Sequence, residues 1–149
     1  MTIEYPEPEY ALINTSRGDL PAVVVVNAAL RNFPHRDIFP WHLSVLIFAD
    51  ELGDHGMPTP KETRLIDAVG DEIERAILEN HNALFLARET HNGRRQLLFR
   101  VHDPAPANGA LQALLALPAA KREWDFRMEG DESWRLAQPC FSLLDAASQ

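Results

Sequence analysis

Cysteine is almost absent from this 149-residue sequence, in which Cys140 is the single example. One cysteine excludes an intrachain disulfide and any metal site built from several thiolates. No basic residue beside it in the sequence lowers its pKa, so we expect a packed, unreactive thiol. The six histidines include no pair two, three or four positions apart, the spacings that gather metal ligands on one element. The sequence therefore predicts no bound metal and a cytoplasmic location.

Positive charge is also scarce, with 14 Lys and Arg residues against 22 Asp and Glu residues and a net charge of −8. A negative average field repels phosphate backbones and anionic lipid headgroups, so nucleic acid and membrane surfaces are poor partners. No apolar run is long enough to span a bilayer, and residues 1–10 lack the basic and apolar regions of a signal peptide. We expect a soluble protein that binds neither nucleic acid nor membrane.

Catalytic signatures are missing as well. The chain has no Gly-x-Ser-x-Gly nucleophile elbow, no phosphate-binding Gly-Lys-Ser/Thr loop and no Gly-x-Gly-x-x-Gly dinucleotide motif. These absences remove the main sequence support for covalent hydrolases, nucleotide phosphatases and dinucleotide oxidoreductases, and no cofactor is expected. They favour a non-enzymatic protein and leave open an enzyme of unrecognised type.

What is present is a regular series of strand patterns. Strands are predicted at residues 10–15, 20–26, 41–49, 84–90, 95–102 and 122–128. Asn92-Gly93 joins the fourth and fifth strands in a tight turn, because both residues adopt positive φ easily. Pairing counted outward from this turn places Leu86 opposite Phe99 on one face, and it places Phe85 and Leu98 on the other face.

Two helices are predicted. Thr59, Pro60 and Glu62 form a capping box, in which the Thr hydroxyl accepts from a backbone N–H and the Glu side chain returns to the cap. Apolar residues at spacings of three and four continue this helix towards Asn80, which can take the left-handed conformation that ends helices. A second helix is expected at residues 108–117.

From the third strand onward the elements follow the order strand, helix, strand, strand, helix, strand. This order predicts an α+β fold: a ferredoxin-like βαββαβ core with an added N-terminal β-hairpin and an antiparallel-rich sheet with two helices on one face. The expected strand order is sixth, third, fifth, fourth, with the hairpin at an edge. We expect one domain over residues 1–149, with the hairpin at 8–30, the core at 40–129 and a C-terminal covering segment at 130–145.

Several segments carry a family resemblance. They are Pro40-Trp41, Gly56-Met57-Pro58-Thr59, Thr90-His91-Asn92-Gly93-Arg94-Arg95 and Trp124-Asp125-Phe126, together with Asp131 and Trp134. In these segments the chain resembles a bacterial family of uncharacterised proteins, domain of unknown function 695. The resemblance extends over nearly the whole chain. It implies a fold similar to the predicted one, no established activity and no functional residues.

Polar side chains from three neighbouring strands converge, in the predicted sheet, on the face that no helix covers. The candidate ligand-binding residues are His42, Arg100, His102, Asp125 and Arg127. The two guanidinium groups could bind a small anion or carboxylate, with a histidine as acid or base. The alternative is a solvated sheet face with cross-strand Arg–Asp pairs.

Apolar side chains lie on the same predicted face. The candidate interface residues are Leu46, Phe48, Phe85 and Leu98. Such a patch is either covered or recruits a partner. The C-terminal segment, in which Asp131 is expected to cap a short helix containing Trp134 before a frayed tail after Leu144, could cover it internally. The leading functional prediction is a non-enzymatic interaction or regulatory module that binds another protein or its own copy. The alternative is a small-ligand-binding domain or an unrecognised enzyme.

Overall fold

A computed structural model describes residues 3–118 and 121–147. Within these residues the strands are β1 (Tyr10–Arg17), β2 (Leu20–Asn27), β3 (Trp41–Phe48), β4 (Ala83–His91), β5 (Arg94–Val101) and β6 (Trp124–Gly130). They form one sheet in the order β1-β2-β4-β5-β3-β6, and every neighbouring pair is antiparallel. This strand order agrees with the predicted one. Residues 1–2, 119–120 and 148–149 of the predicted domain lie outside the described residues.

Positive φ angles occur at positions where the sequence predicts turns, and also at His55, His81 and Trp134, where it does not. Asn92 has a φ of 47° and Gly93 a φ of 77°, so both central residues of the β4–β5 turn have the expected positive φ. Gly18, in the turn between β1 and β2, has a φ of 63°. Asn80 has the predicted positive φ, 58°, but the helix ends at Ile77 with Leu78 as its C-cap, so Asn80 lies in the following 3-10 turn and does not end the helix. The two turn signals therefore mark strand ends, whereas the helix ends before its predicted stop.

Helix α1 spans Pro60–Ile77, and half of its predicted capping box is present. The Thr59 hydroxyl accepts from the Glu62 N–H at 3.2 Å, as expected for an N-cap. The predicted return of the Glu62 side chain to the cap is wrong. Its carboxylate accepts from the Asp50 N–H at 2.8 Å and binds both Nε and Nη2 of Arg122, at 2.5 and 2.6 Å. Arg122, 60 residues away in the sequence, offers two charge-assisted bonds between opposite full charges, whereas the cap offers a single backbone N–H.

Helix α2 spans Pro104–Leu115 and begins earlier than predicted. The Asp103 side chain accepts from the Ala105 N–H at 3.1 Å, and Pro104 occupies the first helical position. Proline is favoured there because an N–H in the first turn of a helix has no partner within the helix, so its absence costs no hydrogen bond. Helices α1 and α2 cover the same side of the sheet, which we call the α1/α2 side. Its core cluster consists of Leu43, Val45, Ile47, Ile66, Val69, Ile73, Ile77, Ala83, Leu97, Phe99, Val101, Ala107, Leu111 and Trp124.

A third helix, α3 (Gln138–Ala147), lies against the opposite side, which we call the α3 side. The prediction of a short helix containing Trp134 and a tail frayed after Leu144 is wrong. Trp134 is left-handed, with a φ of 60°, and precedes a 3-10 turn that leads directly into α3. The carboxylate of Asp131 accepts from the N–H groups of Arg135 and Leu136, at 3.0 and 2.8 Å, and so caps this turn as predicted. None of the helices in the described residues is both long and apolar enough to cross a membrane.

A β-bulge in β4 changes which side chains face each side. The predicted register holds from the turn to the pair Ala87–Leu98, but beyond it Phe85 is opposite Phe99 and Leu84 is opposite Arg100. Leu86 is the extra residue, and it joins Ala87 in the core of the α3 side. The predicted faces of Phe85 and Leu86 are therefore wrong: Phe85 belongs to the α1/α2 side, and Leu86 belongs to the α3 side.

Candidate functional site

A groove of about 370 Å³ lies on the α3 side between the sheet and the C-terminal segment. Its floor consists of sheet residues: His42, Ser44, Gln96 and Leu98. Its wall is formed by Leu136, Pro139, Cys140 and Leu143 of the C-terminal segment. The ion pairs Arg17–Glu89 and Arg127–Glu129 complete the charged part of its lining.

The groove exists because α3 covers only part of this side. Phe141 and Leu144 of α3 share a core cluster with Ile13 of β1 and Val24 and Val26 of β2. Further along the sheet, the β3 side chains Ser44, Leu46 and Phe48 face the same side but remain half-buried. The partly uncovered strands and the flank of α3 therefore bound an open trench.

Arg100 anchors the segment that forms the groove wall. Its side chain has no solvent exposure, and it donates to the Asp131 carboxylate at 3.0 Å, to the Asp131 carbonyl at 2.6 Å and to the Phe39 carbonyl at 3.2 Å. Its guanidinium also lies 4.5 Å from the centre of a Trp134 ring, a cation–π distance. Asp131 in turn caps the turn before α3, so one buried contact links β5 to the C-terminal helix. We call Arg100, Asp131 and Trp134 the polar clamp.

The electrostatics of the polar clamp favour the ionised pair. Burial lowers the pKa of Arg100, and the bond and charge of Asp131 oppose that shift. Burial alone would raise the pKa of Asp131, but bonds from the Leu136 N–H and from Arg100 outweigh it, and its pKa is lowered. Arg100 Nε has no hydrogen-bond partner among the described residues. The guanidinium is enclosed by the clamp, which makes it a structural group and removes it from the groove surface.

His42 lies at the inner part of the groove and is only 6% exposed. Its Nδ1 is 3.2 Å from Arg100 Nη1, which has only protons to donate, so Nδ1 is the acceptor and the ring proton is on Nε2. Burial, followed by the charge of Arg100, lowers the pKa of His42 to about 4. At neutral pH the imidazole is therefore uncharged, and its one basic nitrogen is already bonded.

The other reactive or charged groups of the groove are occupied in a similar way. Arg17 Nε is 2.6 Å from Glu89, and Arg127 Nη2 is 2.8 Å from Glu129. Burial, with a smaller effect of Glu89, raises the pKa of Cys140 to about 11, so the thiol is protonated and behaves as a small apolar group. Every charged side chain that lines the groove in the described chain thus has an opposite charge beside it. The surface offered to a ligand therefore combines apolar side chains, neutral polar groups and two exposed ion pairs, in which Arg17 is 48% and Arg127 79% exposed.

The predicted ligand-binding set is only partly brought together. His42 and Arg100 are in contact, and Arg127 lines the same groove as His42. His102 is exposed beyond the end of β5, where its Nδ1 is 2.6 Å from the Ile38 carbonyl. Asp125 is exposed on β6, opposite Leu46. These two residues do not line the groove.

The predicted interface residues separate into two locations. Leu98 forms part of the groove floor, and Leu46 and Phe48 continue the same side along β3 in a half-buried state. Phe85 lies on the other side, with its ring 5.9 Å from that of Phe99. The bulge at Leu86 separates it from the others. Only three of the four residues can therefore contribute to one surface.

Sequence reasoning missed two features that shape this molecule. The pairing of Glu62 with Arg122 had no local signal, because 60 residues separate the two side chains. The second missed feature, the exposure of Tyr10 and Leu12 on β1, did have a local signal. Tyr10 and Leu12 alternate with Ala11 and Ile13 along a strand that is apolar on both faces, and only one of those faces is covered.

The fold and the groove define a mixed α+β protein with an antiparallel sheet and an open trench on one side. The chain belongs to the family of unknown function DUF695, whose model matches residues 11–138. Comparison with curated proteins and with solved structures gives no significant match. In the described part of the chain, no group of three or more His, Cys, Asp or Glu side chains is placed to hold a metal ion.

Proposed function

We propose that this protein is a non-enzymatic interaction module, and that the groove beside α3 binds a segment of another protein. The observation that carries the proposal is the state of the groove's polar groups. The charged side chains are paired, and His42 is neutral with its Nδ1 bonded to Arg100. A surface of this kind has no free base or nucleophile, and it suits a partner with apolar side chains and backbone hydrogen-bonding groups.

The partner's expected chemistry follows from the groove and from the net charge. Leu98 and Leu143 supply apolar surface on the floor and on the wall. The net charge of −8 attracts positively charged proteins over long distances and speeds their encounter. We therefore infer a partner segment that combines apolar side chains with flanking Lys or Arg residues.

A small anion is a weaker candidate for the same groove. It would need free guanidinium groups, and Arg100 is fully buried in the polar clamp. Arg127 is already paired with Glu129. An anion would therefore have to compete with Glu129 for Arg127 and could not reach Arg100.

The fold and cellular context are part of this proposal. The order β6-β3-β5-β4, with α1 and α2 on one side, supports a ferredoxin-like core extended by the β1–β2 hairpin. The continuous sheet through both core clusters supports a single domain. A single buried cysteine supports a cytoplasmic location, and an acidic composition opposes binding to nucleic acid and to membrane. The bacterial assignment rests on the family resemblance, and the regulatory role rests on the groove.

Ser44 offers a matched pair of variants that tests the groove. Its hydroxyl accepts from Gln96 Nε2 at 2.9 Å on the groove floor, so Ser44→Ala and Ser44→Arg both remove this bond, and only Ser44→Arg fills the space. Peptides would be selected from a random library on the wild-type protein, and their dissociation constants measured by calorimetry.

We expect selected peptides rich in apolar, Lys and Arg residues. Ser44→Arg should weaken their binding by about tenfold or more, while Ser44→Ala should stay near the wild-type value. Circular dichroism would show that both variants are folded. Selection of no peptide, or equal binding by folded Ser44→Arg, would overturn the proposal.

A further inference from the structure

The two edges of the sheet are built differently. Strand β6 alternates charged residues along its exposed side, with Asp125, Arg127 and Glu129, which discourages pairing with another strand. Strand β1, at the other edge, has eight residues, and Arg17 at its end is its only charged residue. Its Tyr10 and Leu12 are 62% and 66% exposed. Apart from Arg17, this edge is long, uncharged and lined by exposed apolar side chains. Another strand can add to an edge of this kind.

The direction of the backbone groups along β1 follows from its turn. Arg17 and Leu20 flank a two-residue turn and form a hydrogen-bonded pair, so alternate residues back to Ala11 also bond to β2. Pro21, opposite Ser16, agrees with this phase because it has no N–H to donate. The backbone groups of four residues therefore point away from the sheet: Tyr10, Leu12, Asn14 and Ser16. No strand in the described residues pairs with this edge.

We propose that β1 pairs with β1 of a second copy of this chain, antiparallel, about a two-fold axis at Ile13. In this register Tyr10 lies opposite Ser16 of the second copy, and Leu12 lies opposite Asn14 of the second copy. All four outward-pointing residues then form hydrogen-bonded pairs, and the two sheets become continuous. This goes beyond the groove's proposed role, because it uses the opposite edge and a different partner.

Charge supports the second copy as the occupant. In the proposed register Glu9 lies opposite Arg17 of the second copy, and the two-fold axis forms this pair twice. Opposite charges directly across an antiparallel pair are stabilising. Glu9 already continues the ladder, since its carbonyl accepts from the Ala28 N–H at 2.7 Å and its side chain is exposed. Arg17 is also 2.6 Å from Glu89 of its own chain, and its side chain is 48% exposed, so Glu9 of the second copy would join this ion pair as a second acidic partner.

Neighbouring registers are poorer. Moving the axis to Leu12 places Ser16 opposite Pro8, which has no N–H to donate. Moving it to Asn14 places Tyr10 opposite Gly18, which belongs to the turn and not to the strand. A shift of the pairing by one residue would set outward-pointing groups against inward-pointing ones. The axis at Ile13 is the register that avoids all three faults.

Apolar contact would accompany the backbone pairing. On the α1/α2 side, the Tyr10 ring lies 5.9 Å from the Phe85 ring, and Val25 lines the same shallow cavity of about 370 Å³. Leu12 is next to Tyr10 on this side of β1. Two-fold pairing would place the two Leu12 side chains on neighbouring positions across the axis and join the two apolar surfaces.

Analytical ultracentrifugation of the full chain, from about 1 to 100 µM, tests the proposal with Asn14→Pro and its control Asn14→Ala. The Asn14 N–H points outward, so proline removes a bond to the second copy and leaves the bonds to β2 intact. We expect the wild type and Asn14→Ala to form dimers and Asn14→Pro to be monomeric. Leu12→Glu, at an exposed position, should also be monomeric and serves if Asn14→Pro fails to fold.

The Glu9→Arg variant tests the register. It places an arginine at position 9 of each copy opposite Arg17 of the other copy, so each opposite-charge pair becomes a like-charge pair. We expect the dimer dissociation constant to rise by on the order of tenfold, with Glu9→Gln giving a smaller rise. A monomeric wild type, or dimers that persist in folded Asn14→Pro or Leu12→Glu, would overturn the proposed interface. An unchanged constant for Glu9→Arg would overturn the axis at Ile13. Ser44→Arg should dimerise normally, so failure of the groove proposal and failure of this one are separable.

Discussion

Both sides of the sheet have apolar cores, and they differ in how their helices are positioned. On the α1/α2 side the buried cluster is apolar, and α1 presents Ile66 and Ile73 to the strands at regular helical spacing. On the α3 side Phe141 and Leu144 also pack in an apolar cluster, but the turn before the helix is held by a buried ion pair between Arg100 and Asp131, and part of the sheet stays open. The α3 side thus adds a localised polar contact to its apolar packing, and this contact positions one helix beside a groove.

The largest effect is expected from breaking the polar clamp. Arg100→Met should reduce the free energy of unfolding by about 4 kcal/mol, because it leaves the Asp131 carboxylate buried without its partner. Urea denaturation would measure the loss. Hydrogen exchange should show faster exchange in α3 than in α1, since the clamp fixes only the former. A loss below about 1 kcal/mol would contradict the structural role of Arg100.

Truncating a core side chain on the α1/α2 side should reduce the free energy of unfolding nearly as much, but it should affect a different part of the molecule. Ile73 is 1% exposed in the α1/α2 core, and Ile73→Ala should reduce the free energy of unfolding by about 3 kcal/mol through lost contacts and the cavity left behind. Exchange should accelerate throughout the sheet, and peptide binding in the groove should be unchanged at temperatures where the variant is folded. Selective loss of α3 protection in this variant would contradict the proposed division between the two sides.

Acid should reduce the stability contributed by each side of the sheet over a different pH range. The pKa of His42 is lowered from 6.5 to about 4, so the unfolded chain takes up this proton first and stability falls as the pH drops between those values. The pKa of Glu62 is lowered from 4.5 to about 2, chiefly by bonds from Arg122. Its contribution is complete above pH 4.5 and is lost as the pH falls through 2.

Unfolding free energies measured from pH 7 to pH 2 would test these two ranges. His42→Gln should reduce the pH dependence of the unfolding free energy in the upper range only. Glu62→Gln should reduce it in the lower range only. We expect the effect of Glu62→Gln at pH 7 to be smaller than that of Ile73→Ala, because the Arg122 side chain is 17% exposed and partly hydrated. If both substitutions alter the same pH range, the assignment of the groups is wrong.

The smallest effect is expected at the start of α1. Thr59→Ala removes the hydroxyl that accepts from the Glu62 N–H and should reduce the free energy of unfolding by about 1 kcal/mol. Thr59→Ser, which keeps an acceptor, is the matched control and should remain close to the wild type. A denaturation midpoint for Thr59→Ala equal to that of Thr59→Ser would show that the cap does not contribute.

Features that depend on neighbouring residues could be predicted from the sequence. The cap at Thr59, the turn at Asn92-Gly93 and the cap at Asp131 each involve groups within a few residues of one another. The strand order could be predicted too, because the sequence of elements and the right-handed crossover rule restrict the topology. In these cases the local chemistry and the fold agree.

Features that depend on distant residues could not be predicted in this way. Arg100 occupies an alternating position that suggests a solvated face, and only Asp131 and Trp134, more than 30 residues later, explain its burial. The bulge at Leu86 lies in an uninterrupted apolar run, so no alternation in the sequence reveals it. The groove depends on both, since Arg100 fixes the wall and the bulge changes the sheet beside it.

The most direct test of the groove's role is an NMR titration of the isotopically labelled protein with a peptide selected on it. We predict that the largest backbone shift changes occur at Ser44, Gln96 and Leu98 on the floor and at Leu143 on the wall, with α1 and α2 nearly unaffected. Shift changes confined to α1 and α2, or to the β1 edge, would contradict the account, because the bound segment would then lie outside the groove.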